Sequence, residues 1–104
     1  LDRIPVLNGA FECVENGVFS SLHNSNKASE IAITNRDSFK NHKLYQLLFD
    51  PQTAGGLLAS LPNTQADETL KLINEAGHLE AQIIGQVVRE SSSLPTIKLM
   101  TIPA

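Results

Sequence analysis

LLFDPQTAGGLLASLP, residues 47–62, is an apolar run interrupted by a polar, glycine-bearing turn and then resumed. A buried element is expected to enter this turn and another to leave it, so the backbone between them has to be held rigidly. Asp50 stands directly before Pro51, which disfavours the α region for it and predicts that the preceding element stops there. Gly55 and Gly56 admit positive φ and the close approach of another backbone or of a ligand oxyanion, which a side chain would block. Glycine pairs on their own mark turns more often than sites.

On the N-terminal side of the turn, Leu44, Tyr45, Leu47, Leu48 and Phe49 fit either a strand or a short helix, and a helical turn or two ending at Asp50 is the preferred reading. On the other side, residues 56–61 read as a short buried strand closed by Pro62. The clearest helix follows: Asn63 or Thr64 caps it, Asp67 takes the capping-box place if Thr64 is the cap, Leu70, Ile73 and Ala76 form an inner stripe flanked by Leu72, and Gly77 ends it. Residues 81–88 (AQIIGQVV) and 96–102 (TIKLMTI) read as strands, with Ser91, Ser92, Ser93 and Pro95 turning between them.

Toward the N-terminus, Ile4, Leu7, Ala10, Phe11 and Val14 recur at helical spacing, which predicts a helix over residues 4–15 with Pro5 in its first turn and Gly17 as its terminator. Residues 18–29, rich in Ser and Asn, read as a loop whose side chains cap turns or bind an anion, with capping favoured. Residues 30–34, with Ile31 and Ile33 alternating, read as a short half-buried strand, and 35–41 as a connection. The order helix, strand, short helix, strand, helix, strand, strand predicts an α+β two-layer sandwich, a mainly antiparallel or mixed sheet with helices on one face, formed by residues 1–104 as a single domain.

Composition sets outer limits. With 104 residues, 41% hydrophobic and 18% charged, the chain is long enough for one core and has no run approaching the roughly 20 apolar residues of a membrane span. The net charge of −3 and the scatter of its eight Lys and Arg residues argue against a nucleic-acid surface. Cys13 is the single cysteine, so no internal disulfide forms, in keeping with a reducing compartment. It reads as a small core or boundary residue, because no Lys, Arg or His lies near it in sequence to lower its pKa. The chain lacks an initiator methionine and enters a helical pattern almost at once, which suggests a piece of a longer protein. His23, His42 and His78 are far apart without partners at metal-ligand spacing, so no metal site is expected. No catalytic triad, P-loop or dinucleotide fingerprint is present, and no residue of the chain is a catalytic candidate.

The turn nevertheless resembles a known signature. LLFDPQTAGGLLASLP is similar to the DPQTSGGLL segment in the C-terminal domain of the selenide, water dikinases (selenophosphate synthetases), relatives of aminoimidazole ribonucleotide synthetase. The stretch from Ala76 to Val88 looks like that family's closing pattern, carried by Gly77, Ala81, Ile84, Gly85 and Val87. IPVLNGAFECVENGVFSSLHNSN is similar to its first helix and the loop that ends in an asparagine, here Asn26. Two departures stand out: Ala54 replaces the usual serine, and Phe19-Ser20-Ser21-Leu22-His23 stands where the family has a Pro-Gly-Gly-Thr-like loop followed by a basic residue, which puts ordinary substrate or nucleotide contacts by that loop in doubt. The variant loop looks like modules fused behind an FAD- and NAD(P)-dependent pyridine nucleotide-disulfide oxidoreductase.

The resemblance implies a parent enzyme that makes selenophosphate from selenide, ATP and water with release of AMP and phosphate, requires Mg²⁺, resides in the cytoplasm and forms a homodimer. Its reactive Cys or selenocysteine, its Lys and its metal-binding aspartates lie in an N-terminal ATP-binding domain, the chain's implied partner, so this chain alone is expected to be inert. Asp50, Thr53, Gly55, Gly56 and Asn26 are the ligand-binding or interdomain candidates, with Asp50 and Thr53 either contacting ligand or bracing the turn. The alternative is a binding or dimerisation module that has lost kinase activity and is attached to an FAD/NAD(P)-dependent oxidoreductase.

Overall fold

Tyr45 is fully enclosed, and the rest of the core is arranged around its ring. The computed structural model describes residues 1–89 and 96–102. The segment that carries Tyr45 closes into a 3-10 turn at Gln46–Phe49. A four-residue separation brings Phe49 alongside Tyr45, edge-on, with ring centroids 5.3 Å apart, a favourable arrangement of two ring quadrupoles. Ile33 completes this buried cluster, and Phe39, Leu48 and Leu99 pack against it. The phenol is not stranded in that apolar setting, because its Oη donates to Glu30 Oε2 at 2.8 Å.

Helix α1 (Ala10–Glu15) is shorter than the periodicity of residues 4–15 predicts. Its N-cap, Gly9, has φ +85°, a left-handed conformation that cannot continue a right-handed helix. The expected terminator does form. Gly17 has φ +68°, and the amides of Gly17 and Val18 return to the carbonyls of Val14 and Cys13 at 3.0 and 2.8 Å, the two crossed bonds of a Schellman motif.

Residues 18–29, expected to be a loop, contain α2 (His23–Lys27) and the start of a second 3-10 turn, Ala28–Ala32. The latter also replaces most of the strand expected at 30–34, and a further short 3-10 turn, Arg36–Ser38, lies within the expected connection. α1 and α2 both pack against the Gln46–Phe49 turn.

After Asp50 the chain leaves the core. No strand forms at 56–61: Leu57 is 102% exposed and Leu58 82%. Helix α3 (Ala66–Glu75) follows a 3-10 turn, Asn63–Gln65, and no side chain caps it, so the Thr64–Asp67 capping box does not form. Gly77, at φ +103°, ends it with the same pair of return bonds, to Asn74 and Ile73. The inner stripe is less covered than its periodicity predicts, with Leu70 half-buried and Ile73 39% exposed.

The α+β sandwich is therefore not what the chain adopts: among the described residues there is no strand and no sheet, only one isolated parallel bridge between Ile33 and Ile97. The physical reason lies in pairing. Apolar alternation marks a segment that can be extended, but a strand is stable only beside further strands or a covering layer, and residues 56–61 and 81–88 find neither. The serine-rich turn at 91–95 lies outside the described residues.

The C-terminal segment is held at a few points instead. Ile97 N donates to Ala32 O at 2.8 Å and Thr34 N to Ile97 O at 2.9 Å. The Asn35 side chain takes over the next rung, its Nδ2 donating to Leu99 O at 2.8 Å and its Oδ1 accepting from Leu99 N at 2.9 Å. At the rim, Asp2 accepts from Ile102 N and His42 Nε2, which holds its carboxyl below the usual range.

Burial, and then the hydrogen bond to Glu30, push the Tyr45 hydroxyl up to about 12 from its ordinary 10.0. Because the folded value lies above the unfolded one, this contribution to stability is complete below about pH 10 and is lost as the pH rises through about 12. Tyr45 is the one tyrosine of the sequence, so phenolate absorbance reports it alone. We expect the native protein to titrate near pH 12 and the urea-unfolded chain near the ordinary tyrosine value of about 10. A native midpoint at the ordinary value would show that Tyr45 is not enclosed.

Candidate functional site

The junction of α1, α2 and the Gln46–Phe49 turn forms a cavity of about 330 Å³, half open to solvent, at the lower end of the roughly 300–1,000 Å³ that small-molecule sites occupy. Ala10, Cys13 and Val14 line it from α1, Phe19, Ser20 and His23 from the loop and the start of α2, and Gln46, Leu47 and Asp50 from the turn. Asp50 reaches it because the turn ends where Pro51 requires: φ −67° and ψ +125° place Asp50 in extended conformation directly after Phe49.

Asn26 supports that geometry from beneath. Its Nδ2 donates to the carbonyl of Phe49 at 3.2 Å, tying α2 to the last residue before Asp50. Gln52 Nε2 donates back to Asp50 Oδ2. Thr53, Gly55 and Gly56 do not meet at the cavity and lie exposed on the outgoing chain. Neither glycine uses positive φ, contrary to the expectation from sequence. Gly55 is constrained in another way: a Cβ there would stand 2.8 Å from Gln52 Cβ, while at Gly56 it would meet nothing. The structure thus separates the five candidates into Asp50 at the cavity, Asn26 behind it, Gly55 as a packing necessity of the turn, and Thr53 and Gly56 on open chain.

Sequence reasoning did not single out His23, which is only 5% exposed. Its ring stacks on Phe19, with centroids 4.5 Å apart, and meets Phe49 edge-on at 6.3 Å. Nε2 lies 3.1 Å from Gln46 Oε1. The donor and acceptor roles of this pair depend on the imidazole tautomer, and the other ring nitrogen is Nδ1. That Nδ1 is buried without a hydrogen-bond partner, a state that costs about 1–3 kcal/mol. The four-residue spacing of Phe19 and His23 was the available hint, masked by the Ser- and Asn-rich setting. Cys13, exposed overall, shares the cavity wall with His23, a neighbour that the linear sequence does not reveal.

Among the described residues no group of three or more His, Cys, Asp and Glu side chains is placed to hold a metal ion, and no Lys or Arg lines the cavity. A Mg²⁺–nucleotide needs cationic partners for its phosphates, so the residues lining the cavity do not fit one.

About nine-tenths of the chain aligns with selenide, water dikinases: 30% identity over 100 residues with that of Clostridioides difficile, covering 91% of this chain and 27% of the relative. Over this stretch the chain is similar to selenide, water dikinases. Identity is 33% over 90 residues with the protein of Pseudomonas straminea, covering 82% and 24%, and 34% over 106 residues with that of Clostridium botulinum strain Eklund 17B, covering 93% and 28%. The chain thus spans about a quarter of the length of the curated relatives it matches. No family model and no solved structure matches it. No helix among the described residues is long and apolar enough to cross a membrane.

Two outcomes test this reading of the turn. Asn26→Ala removes a partly buried hydrogen bond and is expected to cost about 1 kcal/mol in a denaturant melt; no change in midpoint would show that the bond does not hold the turn. Gly55→Ala is expected to displace the Gln52 side-chain amide resonances in an NMR spectrum, and Gly56→Ala to leave them in place. Equal effects at the two positions would contradict the close contact.

Proposed function

We propose that this chain is the C-terminal domain of an ATP-dependent selenophosphate synthetase, a single domain working against an N-terminal ATP-binding domain in a cytoplasmic homodimeric parent. The reaction is the conversion of selenide, ATP and water to selenophosphate, AMP and phosphate, with Mg²⁺ supplied at the parent's nucleotide site. The observation that carries this reading is the alignment of nine-tenths of the chain with selenide, water dikinases. The position of Asp50 in the cavity wall, directly after the turn, is in keeping with it. Asp50 is the residue assigned to the ligand or interdomain face, Asn26 the residue that positions it through Phe49, and Thr53, Gly55 and Gly56 form the outgoing edge. The chain alone carries no catalytic group and is inert without its partner domain.

One observation favours a second reading, a non-catalytic binding or dimerisation module joined to an FAD- and NAD(P)-dependent oxidoreductase. His23 of the variant loop is buried, stacked on Phe19 and edge-on to Phe49, so its side chain is committed to packing and not to phosphates.

Asp50→Ala in the full-length protein separates these readings when selenide-dependent AMP formation and the melting temperature are measured together. A fall of tenfold or more in turnover with an unchanged melting temperature is the expected outcome. Unchanged turnover with a lowered melting temperature would leave Asp50 only a bracing role, and a wild-type protein that forms no AMP from selenide and ATP would favour the non-catalytic module.

A further inference from the structure

We propose that Asn8, in the turn that leads into α1, is a site of spontaneous deamidation, and that Asn16, which stands in the same Asn-Gly sequence at the other end of that helix, is shielded from the reaction by the fold. An Asn-Gly pair is reactive because the glycine amide nitrogen, unhindered by a Cβ, can attack the carbonyl carbon of the asparagine side chain. The attack requires that the amide nitrogen and the side chain be free to meet. Both pairs are exposed, so exposure does not separate them. Hydrogen bonding does.

At the first pair the reacting groups are free. Ala10 N donates to Leu7 O at 3.1 Å and closes the turn around Asn8 and Gly9, with Gly9 at φ +85°. Among the described residues neither the Gly9 N–H nor the Asn8 side-chain amide has a hydrogen-bond partner, and the space beside Gly9 Cα is open. At the second pair both groups are held. Gly17 N donates to Val14 O at 3.0 Å within the helix terminus, and Asn16 Nδ2 donates to Glu12 O at 2.7 Å. Attack at Asn16 has to open the end of α1 first.

The Gly9 nitrogen gives its proton to water or hydroxide and bonds to Asn8 Cγ. The side-chain nitrogen takes up a proton and leaves as ammonia, and one water opens the resulting cyclic imide at either carbonyl. Asparagine and water thus become aspartate or isoaspartate and ammonia, with no oxidant or cofactor. Opening at the main-chain carbonyl yields isoaspartate, which lengthens the path between Leu7 O and Ala10 N by one methylene. It also adds a negative charge directly ahead of α1, the helix that supplies Ala10, Cys13 and Val14 to the cavity wall. The inference is independent of the selenophosphate reading, because it rests on α1 and its two ends alone.

The experiment is incubation of the full-length protein in mildly alkaline buffer, with and without urea, followed by cleavage after Arg3, Glu12 and Glu15. These cuts place the two asparagines in separate peptides, and mass spectrometry with fragmentation localises the gain of one mass unit that each deamidation brings. Comparing each site with its own rate in urea removes the contribution of sequence. In the folded protein Asn8 is expected to convert at close to its rate in urea, and Asn16 at least about tenfold more slowly than in urea, because its attack waits for local opening. Conversion of Asn16 as fast in the folded protein as in urea, or a slowing of Asn8 by folding equal to that of Asn16, would each overturn the proposal.

Discussion

The hydrogen bond from the buried Tyr45 hydroxyl to Glu30 is the constraint on which the rest of this structure depends. It allows an amphipathic ring to fill the centre of a small core without stranding its polar end. Among the described residues the buried apolar set is short, Ile33, Leu44, Tyr45 and Phe49, so a single enclosed aromatic ring supplies a large share of the buried surface. Tyr45 also fixes the frame of the turn that follows it. Phe49 lies one helical turn on, its carbonyl receives Asn26, and Asp50 is delivered to the cavity edge by the same sequence of contacts. Core and candidate site are thus two sides of one six-residue segment.

Where local chemistry decides the conformation, the sequence was legible. Gly17 and Gly77 end their helices as their positions suggest, because a left-handed residue there costs glycine nothing and returns two amides to orphan carbonyls. The stop at Asp50 follows from the steric demand of Pro51. The sheet was not legible, because alternation in residues 56–61 and 81–88 records only that the side chains can alternate, while strand formation depends on a neighbour that no local pattern contains. Ile31 and Ile33 show the limit most plainly: both were read as one half-buried strand, yet only Ile33 is buried, Ile31 is 80% exposed, and one bridge to Ile97 is all the pairing obtained.

The candidate site was half visible. Asp50 stood out through its proline, and Asn26 through resemblance, yet their connection through the Phe49 carbonyl exists only in three dimensions. His23 was hidden because serine and asparagine around it imitate loop composition, whereas α2 forms once Phe19 and Phe49 cover the imidazole. A polar neighbourhood in sequence is a poor guide to the surroundings of a ring that is turned inward.

Asn35 has a consequence in the order of folding events. Its side chain, gripping both the N–H and the C=O of Leu99 across 64 residues, extends the two backbone bonds of the Ile33–Ile97 bridge and closes a long loop with them. The chain entropy of that closure is lost before the bonds form, whereas α1, α2 and the turn after Tyr45 assemble from nearer neighbours. Leu99 packs against the aromatic core, so the shielding of Tyr45 from water depends on contacts made across nearly two thirds of the chain.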